Sequence, residues 1–135
     1  MAQTEAYAKQ DTLEPLVLGR GESNRKAIAH AVRLSTLSLS LPHGANVTTL
    51  REEVDLVYGR QDESYTLSIP GTSSASIFAN TSLGLLRGMQ TFSQLVYFLP
   101  AASGSAGTRY ILNTPIEVVD APAFPHRYLS LLQLE

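Results

Sequence analysis

The chain has 135 residues, 44% of them hydrophobic and 16% charged, with a net charge of -2 at pH 7 and no cysteine. That length supports one domain with its own core, and the composition is that of a globular chain. The charge balance leaves no basic footprint for nucleic acid, no apolar run reaches the ~20 residues of a membrane-spanning helix, and disulfides and thiolate metal sites are excluded.

Residues 1–15 are polar, contain Glu5, Lys9 and Asp11, and read as a loose arm without the apolar core of a leader peptide. Two origins fit: a cytosolic protein, or a chain whose first residue falls inside a longer secreted precursor. After the short apolar run Leu16-Val17-Leu18, the residues Gly19, Gly21 and Ser23 mark a turn. Ser23 suits a helix cap, with Lys26 standing where a capping box wants glutamate. A helix over 24–34 would place Ala27, Ala31 and Leu34 on one face with Ile28 and Val32 beside them. Leu37, Leu39 and Leu41 then alternate with serines, which predicts a half-buried strand ended by Pro42-His43-Gly44. Val54, Leu56 and Tyr58 alternate again as a weaker strand before the turn 59–62. Tyr65, Leu67 and Ile69 form a third alternating run stopped by Pro70-Gly71, and residues 76–79 form a fourth short strand.

The organising stretch is 77–99. Leu85, Met89, Phe92, Val96 and Leu99 recur in steps of four and three, one face of a helix. Asn80, Thr81 and Ser82 supply cap-type side chains before it. Gly84 and Gly88 lie on one helical face, and each costs about 1 kcal/mol of helix propensity, so each is expected where a neighbour packs closely. Residues 100–107 are a small-residue loop, 110–112 and 116–119 are β-rich runs, and Pro122 and Pro125 mark a domain boundary. The expected fold class is α+β, with helices on one face of a mainly antiparallel sheet. The expected domain runs over 16–121.

The residues offer little chemistry of their own. Asp62-Glu63 reads as a solvated turn and Glu52-Glu53 as a surface pair. His30, His43 and His126 are isolated, with no HExxH helix or Cys/His cluster, so no metal site or cofactor is expected. Gly19-Arg20-Gly21 lacks phosphate-loop spacing, and no serine stands in a GxSxG elbow. Two glycosylation acceptor triplets occur, at Asn46 and Asn80; Asn113-Thr114-Pro115 lacks the required hydroxyl. Arg87 reads as a solvated or snorkelling side chain.

One pattern is more specific. GLLRGMQTFSQL followed by YILNTPIEVVDAPAFPHR resembles the segment that leads into the catalytic barrel of beta-N-acetylhexosaminidases of glycoside hydrolase family twenty. Upstream, LVLGRGES, EVDLVYGRQDESYTLSI and SIFANTSLG are similar to that family's amino-terminal domain, most like its fungal secreted members. The resemblance covers 16–127. It implies an accessory domain whose partners are the catalytic barrel and, through the barrel, N-acetylhexosaminide substrates, in a parent enzyme that is secreted or vacuolar/lysosomal and a possible homodimer. No nucleic acid and no membrane span are implied.

The family uses the substrate's own acetamido group as nucleophile, and its Asp-Glu pair lies in the barrel, so the resemblance assigns no catalytic residue here. It offers Arg87 and Arg127 as barrel-interface residues. In the family, Pro-His-Arg leads through a glycine and an apolar strand to Asp-x-x-Arg, whose arginine grips the sugar. Here Tyr128 replaces the glycine, Leu132 stands at the aspartate and Glu135 at the arginine. Residues 122–135 are therefore expected to imitate the first strand of a missing barrel, in a chain truncated before it. A tail carrying Leu129, Leu131, Leu132 and Leu134 would expose an apolar edge. A free-standing carbohydrate- or protein-binding module derived from this domain, and a cytosolic domain unrelated to glycosidases, are the alternatives.

Overall fold

The computed structural model describes residues 13–16, 19, 21–45, 47–57, 59–101 and 107–124. Elements follow in the order α1 (Arg25–Ala29), β1 (Thr36–Ser40), α2 (Leu50–Val54), β2 (Tyr65–Ile69), β3 (Ser74–Ala79), α3 (Ser82–Gln94), β4 (Val96–Leu99), β5 (Thr108–Ile111) and β6 (Ile116–Asp120), with a 3-10 turn at Glu22–Asn24 before α1. Four strands form one sheet in the order β1-β3-β2-β6, while β4 and β5 pair as a separate ribbon. β1 runs parallel to β3, and both β2-β3 and β2-β6 are antiparallel. The fold is α+β, as the order of elements predicts, with the long helix packed on the sheet.

Strand alternation builds the core. Leu67 sits between Ile77 of β3 and Val118 of β6 in the register. Leu67 and Ile77 are both 0% exposed. Tyr65, Ile69, Ala75 and Ala79 complete the buried face, and Leu37, Leu39, Leu85, Met89 and Phe92 pack against it half-buried. The opposite face carries Thr36, Ser38, Ser40, Thr66, Ser68, Ser74 and Ser76, since successive side chains point to opposite sides. On β2, burial alternates strictly between buried and half-buried residues.

Gly84 and Gly88 are where the helix meets this core. A Cβ on Gly84 would collide with the Ser64 carbonyl oxygen and stand 2.9 Å from the Ala79 Cβ. One on Gly88 would stand 2.5 Å from the Ile77 Cγ2 and 3.2 Å from the Tyr65 Cδ2. The glycines let the helix axis come down onto β2 and β3, and the Tyr65 hydroxyl then lies 2.6 Å from the Thr91 Oγ1. Thr81 caps the helix, its side chain accepting from the Gly84 N–H at 3.0 Å.

Several expectations change. The long helix stops at Gln94, with the Leu95 N–H donating to the Thr91 and Phe92 carbonyls at 3.2 Å. Val96 and Leu99 belong to β4, where Val96 pairs with Ile111 and Leu99 with Thr108. The run Val-Tyr-Phe-Leu continues the helical spacing by coincidence, and its β-branched and aromatic residues favour the ribbon. The 24–34 helix reduces to α1: the Ala31 N–H turns back to the Ile28 carbonyl, and the chain then extends so that Ser35 and Thr36 donate to the Ser73 carbonyl. Ser23 caps nothing, since it lies inside a 3-10 turn entered from Gly21 at φ 93.

The weak strand around Val54 is instead the end of α2. Thr49 and Glu52 form a reciprocal capping box, with the Thr49 side chain accepting from the Glu52 N–H and the Glu52 carboxylate accepting from the Thr49 N–H. Val54 and Leu56 are exposed, so their alternation had no core to serve; Tyr58 lies outside the described residues. Glu53 is buried rather than on the surface, and its carboxylate accepts from the Thr48 hydroxyl. Thr49→Ala should destabilise the domain by roughly 0.5–2 kcal/mol, and urea unfolding of the variant beside Glu52→Ala checks it. No helix among the described residues is long and apolar enough to cross a membrane.

Candidate functional site

The charged residues converge where the loop before β2 meets the start of α3. Asp62 is the hub. Its Oδ1 accepts from the Ser64 N–H at 2.9 Å and from the Ser64 hydroxyl, and its Oδ2 accepts from the Asn80 Nδ2 at 3.1 Å. The Asp62 carbonyl accepts from the Thr81 hydroxyl at 2.6 Å. One residue thus ties the loop, β2 and the helix cap together. Partial burial pushes the Asp62 carboxyl up, but the hydrogen bonds from Ser64 and Asn80 outweigh it and leave its pKa below the ordinary aspartate value of 3.8.

A lowered folded-state pKa stabilises the fold above the unfolded value, and that contribution disappears as pH falls through the folded value. Acid unfolding should therefore lose one component in Asp62→Asn. The urea midpoint of the wild type should fall more steeply than the variant's from neutral pH down to about pH 3. Equal slopes would show that Asp62 does not carry this dependence.

Glu63 points the other way, toward Arg87 on α3. The Arg87 Nε donates to the Glu63 Oε2 at 2.8 Å, and its Nη1 donates to the Gln90 Oε1 at 3.0 Å. The Glu63 side chain is 11% exposed and Arg87 40%, so this is a half-sheltered ion pair. A cleft of about 360 Å³ opens beside it, lined by Glu63, Tyr65, Arg87, Gln90, Asp120 and Phe124. Residues 120–124, which leave the end of β6, form one of its walls. A larger, more apolar groove of about 670 Å³ lies between α1, the end of α3 and β5, with Ile28, Val32, Phe92 and Ile111 among its walls. On β5, the Tyr110 hydroxyl is buried with no hydrogen-bond partner among the described residues.

These positions correct the reading of Asp62-Glu63 as a solvated turn. Both carboxylates are half-buried, and both hold structure. Arg87 is 40% exposed, so it is partly solvated as read, but Glu63 holds its guanidinium in an ion pair that the sequence reading did not include. No local signal announced that pair, since 24 residues separate the partners. The Thr49-x-x-Glu52 spacing, by contrast, could have been found in the sequence. Asn80 is exposed, while Asn46, Arg127 and His126 lie outside the described residues. His30 is exposed at the end of α1, its Nδ1 2.9 Å from the Lys26 carbonyl oxygen, and His43 is exposed in the turn after β1. Among the described residues, no three His, Asp or Glu side chains come together as a metal-holding set.

Fold and site together define a small α+β domain whose charged side chains hold loops and wall a cleft at the end of β6. A family model described as beta-acetyl hexosaminidase like matches residues 5–95. The chain belongs to this family, as an amino-terminal domain of glycoside hydrolase family twenty. It is 30% identical over 125 residues to "Beta-hexosaminidase 1" of Coccidioides posadasii, covering 89% of this chain and 17% of that protein. It is 37% identical over 95 residues to "Beta-hexosaminidase 3" of Arabidopsis thaliana, covering 68% of this chain and 17% of that protein. Over 69 residues it is 45% identical to "Beta-hexosaminidase subunit alpha" of Bos taurus, covering 51% and 12% respectively. The chain thus spans about a sixth or less of the length of these relatives, and fungal, plant and mammalian members all match.

Proposed function

We propose that this chain is the accessory amino-terminal domain of a beta-N-acetylhexosaminidase, an enzyme that removes terminal N-acetylhexosamine residues from chitin oligomers and glycoconjugates, and that these 135 residues alone do not hydrolyse them. The observation that carries the reading is the family match over residues 5–95 together with the fate of Asp62 and Glu63. Family chemistry needs a carboxylate to orient the acetamido group and an acid to protonate the leaving oxygen, both facing an open sugar pocket. Asp62 accepts hydrogen bonds from Ser64 and Asn80, and Glu63 is paired with Arg87. Both are engaged in folding this loop.

The domain's partner in this reading is a catalytic barrel in the part of the enzyme that these residues do not span. Arg87 and the cleft beside residues 120–124 supply the surface on which the barrel would rest, and Arg127, further along the chain, is the second arginine offered to that interface. The parent enzyme is secreted or vacuolar/lysosomal and a homodimer. The test is a chromogenic N-acetylglucosaminide offered to the purified chain, with Asp62→Ala and Glu63→Ala beside it. No turnover above buffer is expected. Turnover that disappears in either variant would place the catalytic carboxylates in this domain.

A further inference from the structure

We propose that Asn80 carries an N-linked glycan, an inference that rests on the secretory location given under the proposed function. The triplet Asn80-Thr81-Ser82 has the hydroxyl that the acceptor pattern requires and no proline between. Such triplets also arise by chance, so the weight falls on what the fold does with each residue. Ala79 before it is 2% exposed and Leu83 after it is 3% exposed, yet Asn80 itself is exposed in the bend between β3 and α3. The helix start rests on its neighbours. Thr81 caps the Gly84 N–H, and the Ser82 hydroxyl donates to the Thr48 carbonyl at 2.8 Å.

Asn80 contributes one bond from its carboxamide nitrogen, the Nδ2–H donated to the Asp62 Oδ2. That nitrogen carries two hydrogens. In the transfer, Nδ2 bonds to the anomeric carbon of an oligosaccharide carried on a lipid pyrophosphate. One Nδ2 proton is lost, and the lipid pyrophosphate departs with the electron pair of the broken C–O bond. The substituted amide keeps one N–H, which is all that Asp62 accepts from it. Modification therefore removes nothing that the fold uses, and the Asp62 carboxylate is placed to hold the linkage with the sugar pointing into solvent.

The test is expression of the full chain behind an added leader peptide in a eukaryotic cell, with a carboxy-terminal tag that carries its own acceptor triplet to report passage through the secretory pathway. Treatment with an amidase that releases N-glycans converts a modified asparagine to aspartate, which peptide mass spectrometry locates. Asn80 is expected as aspartate in the treated wild type. Asn80→Gln should lose one glycan's mass and Ser82→Thr should keep it, with circular dichroism unchanged in both. A glycosylated tag beside an unmodified Asn80 overturns the proposal. Because the leader forces passage, that result stands apart from the proposed location of the natural chain, which fractionation of its source cells tests separately.

Discussion

Gly84→Ala is expected to lower the unfolding free energy by about 1–3 kcal/mol through overpacking, although alanine is the better helix former by roughly 1 kcal/mol. The added Cβ meets the Ser64 carbonyl oxygen and stands 2.9 Å from the Ala79 Cβ. Neither neighbour can yield cheaply. Ser64 leads directly into β2, and Asp62 holds it through both its N–H and its hydroxyl. Ala79 is buried at the end of β3. The helix must lift off the sheet, which opens the contact of Leu85 and Met89 with the core. Gln94→Ala, on an exposed turn of the same helix, should stay within about 0.5 kcal/mol of wild type. Urea unfolding followed by circular dichroism separates the two. A Gly84→Ala variant as stable as Gln94→Ala would mean that the helix does not sit as close to β2 as described.

Leu67→Ala should cost about 2–5 kcal/mol, a large share of the roughly 5–15 kcal/mol that holds a domain folded. Leu67 is 0% exposed and lies at the centre of the sheet between Ile77 and Val118. Strands enclose it on both sides, so its cavity has little means of collapse. Phe92→Ala is the informative comparison. Helical spacing alone makes Phe92 a core anchor worth about 3–5 kcal/mol, yet its ring is only half-buried and borders the groove beside α1. Its loss should be smaller than that of Leu67 despite the larger side chain. A Phe92→Ala variant at least as destabilised as Leu67→Ala would show that the groove closes over the ring.

Much of the sheet was legible. The two-residue period of Leu37 and Leu39, and of Tyr65, Leu67 and Ile69, is local information, and β1 and β2 form where it says. The paired glycines announced a close approach, because two costly residues on one helix face need a packing reason, and β2 and β3 supply it. Where the reading failed, local signals conflicted. Around Val54 the reading followed a weak alternation and missed the Thr49-Glu52 capping box, and the box is what formed. After Gln94 the helical spacing ran on into residues whose β preference needed β5 to express it, twelve positions further along.

The amino-acid sequence by itself determined the family, the strands with one apolar face, the cap-type residues over 80–82 and the two glycines, because each is written in residue types a few positions apart. Only the tertiary structure decided that Glu63 would hold Arg87, that Asp62 would join Ser64 to Asn80, and that Glu53 would be buried. Two of those contacts depend on the antiparallel pairing of β2 with β3, which brings the residues before Tyr65 beside those after Ala79. The shelter of Glu53 depends on α2 packing against α3. Contacts between distant segments are set by which faces must be buried together, and no short stretch of sequence carries that.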